Sequence, residues 1–107
     1  MPIYKKLVRD QIPEIIEKTG AKYSIEMLDE ELYQKELRRK LQEEIDEYME
    51  ALTDNEAVEE LADVLEVIFA LAKTHQTNEL ILETIRVDKR IKRGAFDKRI
   101  YLVEVED

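Results

Sequence analysis

The chain has no cysteine, one histidine, two glycines and two prolines in 107 residues. Without cysteine it can form neither a disulfide nor a thiolate metal site, which fits a reducing, cytoplasmic setting. So few glycines and prolines leave few breaks, which favours long helices over a sandwich of short strands. Basic residues are outnumbered, 17 against 26 acidic, giving a net charge of −9 that disfavours a nucleic-acid binder. No apolar run reaches the ~20 residues of a membrane span. The first residues, Met-Pro-Ile-Tyr-Lys-Lys, lack the apolar centre of a signal peptide. What remains is 44% hydrophobic and 40% charged, the balance of one folded, soluble domain over residues 1–107.

The charge is unevenly placed. From Leu41 to Ala72 there are eleven Asp and Glu residues and no Lys, Arg or His. Between Arg86 and Arg99 there are seven bases and two acids. An acidic middle with a basic end suits a site that holds a metal and an anion together, or ends that simply pair with the middle.

Spacing predicts a mainly α fold with a short β element contributed by the two ends. Asp10 is placed to cap a first helix that holds Pro13 in its first turn and stops near Thr19 and Gly20. Lys22–Leu28 and Arg99–Glu106 alternate as short strands able to pair with each other. Asp29 caps a second helix running to about Leu52, with Leu37, Leu41, Ile45, Tyr48 and Leu52 in one stripe. The turn and cap residues Thr53 to Asn55 lead into a third helix over about Glu56 to Lys73. That helix is apolar on nearly every face, so it is buried here or in an oligomer interface. Thr77 or Asn78 caps a fourth helix ending near Arg93, with Gly94 as its stop.

On the second helix Glu44 lies about 60° from the centre of the apolar stripe and Glu47 about 60° further round, with Glu43 on the same flank. On the third, Glu60 and Asp63 share a face otherwise made by Val64, Val67, Ala70 and Leu71. Burying ionised carboxylates without a partner costs several kcal/mol, so such groups protonate or take a cation. If the two helices form an antiparallel pair, Glu44, Glu47, Glu60 and Asp63 face one another. Oxygen donors without nitrogen or sulfur suit Mg²⁺ or Mn²⁺, and Glu43 is placed to accept a proton from an attacking water. Glu-x-x-Glu and Glu-x-x-Asp also occur on ordinary solvated helices. A di-iron carboxylate bundle is excluded because His75, the one histidine, follows Ala72 rather than a Glu at three residues' distance.

The bases read more plainly. Lys6 and Arg9 fit surface charge, and Lys92 and Arg93 complement a helix dipole. Arg38-Arg39-Lys40 is a solvated face from which one cation can reach the acidic cluster.

Taken together, Glu43-Glu44-x-x-Glu47, twelve residues, and Glu60-x-x-Asp63 resemble the motif of the all-α nucleoside triphosphate pyrophosphohydrolases, the MazG-like and phosphoribosyl-ATP pyrophosphohydrolase proteins. Tyr4-Lys-Lys-Leu-Val-Arg-Asp-Gln-Ile-Pro-Glu-Ile-Ile16 and Lys92-Arg-Gly-Ala-Phe96 are similar to the small phosphoribosyl-ATP-pyrophosphohydrolase-like, house-cleaning branch. The resemblance implies magnesium-dependent cleavage between the α and β phosphates, giving a nucleoside monophosphate and pyrophosphate. It implies metal ligands at Glu44, Glu47, Glu60 and Asp63, with Glu43 as base or outer ligand. It further implies phosphate contacts at Lys6, Arg9, Lys92 and Arg93, and a homodimer or homotetramer. Gln11 stands where the pattern has Lys, and Ala95 where it has a second Gly. The alternatives are a non-catalytic helical binding or assembly protein and a phosphoribosyl-ATP pyrophosphohydrolase.

Overall fold

In the computed structural model, residues 4–106 are described, and four helices account for most of them. Helix α1 spans Ile12–Lys18, α2 Glu30–Glu50, α3 Asp54–Thr74 and α4 Glu79–Arg93. The fold is mainly α, as the composition requires.

The caps show why the helices begin where they do. Asp29 Oδ1 accepts the Leu32 N–H at 2.9 Å, Thr53 Oγ1 the Glu56 N–H at 3.1 Å, and Asn78 Oδ1 the Ile81 N–H at 2.9 Å. Each supplies an acceptor for an N–H that the helix itself leaves unpaired. Glu56 reaches back from the first turn of α3 to accept the Leu52 N–H at 3.2 Å, a variant of the capping box. Asp54 and Asn55 are thus helical rather than part of the turn. In α1 the N-cap is Gln11, not Asp10, and its side chain makes no capping bond. Gly20 and Gly94 carry φ of 85° and 86°, the left-handed region where glycine is free of Cβ strain, and each follows the last turn of its helix.

Ala51, Leu52 and Thr53 join α2 to α3, and the two helices pack against each other along their length. A turn this short makes them antiparallel neighbours. Residues equally far from Leu52 then sit level across the interface. Leu37 and Val67 form one such pair, and both are buried. Glu44 and Glu60 form another, which puts two carboxylates inside the same seam. Helix α4 touches α3 more lightly, and no helix among the described residues is long and apolar enough to cross a membrane.

The apolar core is thin. Among the described residues only Leu37, Val67 and Ala72 are buried hydrophobics. The accessible surface of 10212 Å² far exceeds the roughly 6,200 Å² of a compact protein of this mass. The radius of gyration, 18.3 Å, likewise exceeds the roughly 13 Å of a compact chain this long.

The β element expected of the two ends is not formed. Residues 22–28 and 99–106 contain no strand, and no backbone hydrogen bond joins them. Alternation records which face of a segment is apolar, but a strand exists only where a neighbour supplies its hydrogen bonds. Within one chain neither segment has that neighbour.

Candidate metal centre

The centre of the site is Glu44. Its place on α2, level with Glu60 on α3, leaves it 6% exposed. Two groups of carboxylate oxygens converge on it. Glu43, Glu44 and Glu47 form one group and Glu44, Glu60 and Asp63 the other, the oxygens of each lying within 4.8 Å of one another. All five acidic positions expected from the sequence therefore meet around a single buried carboxylate. Glu43, Glu60 and Asp63 are half-buried and Glu47 is exposed. On the helical wheel Glu43 lies farther from the apolar stripe than Glu47, so its partial burial comes from Lys6 and Lys40, which lie against it.

Three cations also reach the cluster. Lys40 Nζ lies 3.2 Å from Glu44 Oε1 and 3.7 Å from Glu43 Oε1. The segment before α1 brings the other two. Lys6 Nζ donates to Glu43 Oε1 at 3.2 Å, and Arg9 Nη2 to Asp63 Oδ1 at 2.6 Å. Lys6 and Arg9 are thus drawn to the carboxylates rather than scattered on the surface. Lys92 and Arg93 are not: Lys92 pairs with Asp88 on α4 at 3.1 Å, and neither is ion-paired to the cluster among the described residues.

Lys40 is the residue whose importance the sequence understated. The base-free stretch begins at Leu41, yet a lysine four residues before Glu44 lies directly over it on a helix. That spacing was the available signal. It also corrects a premise: the acidic cluster does have a local base.

The cations leave part of the cluster unanswered. Glu44 Oε2 and Glu60 Oε2 are buried and have no hydrogen-bond partner. Burial first, and then the neighbouring Glu47 carboxyl, push the Glu44 carboxyl above its ordinary pKa, outweighing the opposing pull of Lys40. Five carboxylates against three cations leave two negative charges, the charge of one divalent ion. An all-oxygen donor set with two orphaned buried oxygens fits a hard cation such as Mg²⁺ or Mn²⁺. Beside it an open cleft of about 240 Å³ is lined by Val8, Arg9, Ile12, Lys40, Glu44 and Asp63. It sets two cations and two carboxylates over an apolar floor, a place where a metal and an anion can sit side by side. A larger hollow of about 390 Å³ at Glu31, Leu32, Gln34, Lys35 and Arg38 includes none of the cluster carboxylates.

If Lys40 is the counter-charge of Glu44, its loss is felt most when no metal is present. Lys40→Met is expected to lower the stability of the metal-free protein by about 1–3 kcal/mol, the cost of leaving a buried acceptor unanswered. Urea denaturation with and without Mg²⁺ measures this. The deficit shrinks when metal is added, and an equal deficit in both conditions would count against the assignment.

No protein-family model, curated protein or solved structure matches this chain. What the fold and site define is a class: a helical hairpin whose seam carries an acidic, metal-capable cluster with cations placed over it.

Proposed function

We propose that the chain is a divalent-metal-dependent nucleoside triphosphate pyrophosphohydrolase. It cleaves between the α and β phosphates to give a nucleoside monophosphate and pyrophosphate, and it clears non-standard nucleotides in the cytoplasm. The observation that carries this reading is the convergence of four carboxylates on buried Glu44, with Glu44 Oε2 and Glu60 Oε2 unpartnered. The resemblance of the acidic motif and of both ends to the all-α pyrophosphohydrolases supplies the reaction.

Glu44, Glu47, Glu60 and Asp63 are the residues that hold Mg²⁺ or Mn²⁺. Bound there, the ion shields phosphate charge and lowers the pKa of a water. Glu43 takes the proton of the attacking water. Its Oε1 is engaged by Lys6 and Lys40, which leaves Oε2 for that role. Arg9 and Lys6 turn from the carboxylates to the phosphate oxygens when metal and substrate are present, with the Arg9 guanidinium offering a planar fork that matches them. Lys92 and Arg93 contact phosphate only if the α4 end is brought to the cluster by another copy of the chain, in a homodimer or homotetramer. The thin core and large exposed surface support such an assembly.

A second reading has its own support. Lys6, Arg9 and Lys40 already pair with the carboxylates, as in a helical binding or assembly protein held by ion pairs without turnover. One assay separates the two. Purified protein is incubated with a panel of canonical and modified nucleoside triphosphates and Mg²⁺ or Mn²⁺, and pyrophosphate is measured. Metal-dependent release that disappears with chelator is the expected result; no release with any nucleotide leaves the second reading.

A further inference from the structure

Two segments of the chain are patterned as strands and paired with nothing. In residues 22–28, Tyr23, Ile25 and Met27 share one face. In residues 100–105, Tyr101, Val103 and Val105 share one face, and Ile100 and Leu102 lie on the other. Ile100, Leu102 and Val103 are 81%, 74% and 83% exposed. Extended backbone carries a free N–H and C=O at every residue, a template for another strand. A β-branched and aromatic segment this exposed has strand propensity but lacks the neighbour that would realise it.

Each segment is chemically matched to the other. Lys22 and Glu26 mark one, Arg99, Glu104 and Glu106 the other. Parallel pairing that sets Lys22 beside Arg99 opposes two like charges. Antiparallel pairing sets Lys22 opposite Glu104. In that register Tyr23 faces Val103 and Ile25 faces Tyr101, the aromatic and β-branched pairs that stabilise antiparallel ladders.

The single chain does not make this pairing. After Gly94 the backbone turns through Phe96 to Arg99, whose φ is 59°, and no backbone hydrogen bond joins the segment that follows to 22–28. The chain also exposes roughly 4,000 Å² more than a compact protein of its mass, ample for the roughly 1,000–2,500 Å² that each partner of an obligate homodimer buries. A partner strand with the right charges and the right face is present in every copy of the chain.

We propose that residues 99–104 of one copy pair as an antiparallel β-strand with residues 22–27 of a second copy, Ser24 opposite Leu102. The inference rests on the homo-oligomer proposed above and names its contact. By two-fold symmetry the exchange is reciprocal, so each dimer holds two such ladders.

The absence of native cysteine gives a clean test. Chains carrying Ser24→Cys are mixed with chains carrying Leu102→Cys, oxidised with diamide, and analysed beside sedimentation of the unmodified protein. Directly opposed strand residues bring their Cα atoms within disulfide range. The expected result is a dimer in sedimentation and a covalent dimer holding one chain of each kind. Adding Val103→Pro to the Leu102→Cys chain is expected to cut that product by about tenfold, since proline cannot donate to a ladder. A dimer that cross-links no better than Ser24→Cys mixed with Lys73→Cys would overturn the strand exchange and leave the oligomer standing. A chain carrying both cysteines that closes on itself at high dilution, as a monomer, would overturn the exchange too. A monomer with no cross-link overturns the exchange and the oligomer together.

Discussion

Glu60→Gln and Asp63→Asn are each expected to lower metal-dependent pyrophosphate release by more than about 100-fold, since even residues that only support metal ligands cost 10–100-fold. The fold should survive both changes. Glu60 Oε2 is buried without a donor, and the Gln amide offers one to the neighbouring Glu44 carboxylate. Asp63→Asn weakens the 2.6 Å pair with Arg9, but both side chains are substantially exposed, where such pairs contribute about 0–1 kcal/mol. Loss of activity with retained helicity would therefore report on chemistry rather than on folding. Glu66→Gln is the control: Glu66 is exposed on the same helix and belongs to neither carboxylate group, so activity should stay within about twofold. Calorimetric titration with Mg²⁺ completes the test. If both variants keep wild-type turnover and wild-type ion affinity, Glu60 and Asp63 are not ligands.

The second large effect concerns Glu44 and has a definite sign. Burial raises its folded pKa above the ordinary value of 4.5. The folded protein therefore binds this proton more tightly than the unfolded chain. The stability contributed is fully present below the unfolded value and is lost as pH rises through the folded value. At neutral pH, without metal, the Glu44 carboxylate burdens the fold. Glu44→Gln removes the burden, so the variant's melting temperature is expected to equal or exceed that of the parent in metal-free buffer at pH 7. The advantage should vanish on acidification. Metal reverses the order. At a hundredfold excess over its Kd, Mg²⁺ adds about 2.7 kcal/mol to any state that binds it. In a domain of this size that is a rise of roughly 10–20 °C, confined to the parent. Parallel melting curves at two pH values, with and without Mg²⁺, provide the measurement. A variant less stable than the parent in metal-free buffer at pH 7, or one that Mg²⁺ stabilises equally, would reject Glu44 as a destabilised ligand.

These two results pull apart groups that look alike in the sequence. Glu43, Glu44 and Glu47 lie within one helical turn and a quarter, yet Glu44 is nearly enclosed while Glu47 is exposed. The helical wheel already placed Glu44 nearest the apolar stripe, but it puts Glu43 farther from the stripe than Glu47, and Glu43 is the more buried of those two. What the wheel did not convey was the counter-charge. Lys40 lies outside the base-free stretch in sequence but directly above Glu44 in space, and Lys6 and Arg9 arrive from an irregular segment with no periodicity to read.

The helices were legible because their causes are local. Asp29, Thr53 and Asn78 cap through their own side chains, and Gly20 and Gly94 mark the ends by conformational freedom alone. The level pairing of Glu44 with Glu60 followed from the short turn at Leu52. Asp10 has cap chemistry, but Gln11 holds the cap position of the first helix, without a side-chain bond. The β element was read from alternation, and alternation cannot say whether a neighbour exists.

By itself, then, the sequence determined four helices, the caps of all but the first, and the set of carboxylates that share a seam. These depend on interactions within a few residues and on the period of a helix. Only the tertiary structure decided that Glu44 and Glu60 are each left with an unanswered oxygen, which cations come over the cluster, and that residues 22–28 and 99–106 stay unpaired. Those outcomes depend on what lies opposite in space, between groups as far apart in the chain as Arg9 and Asp63.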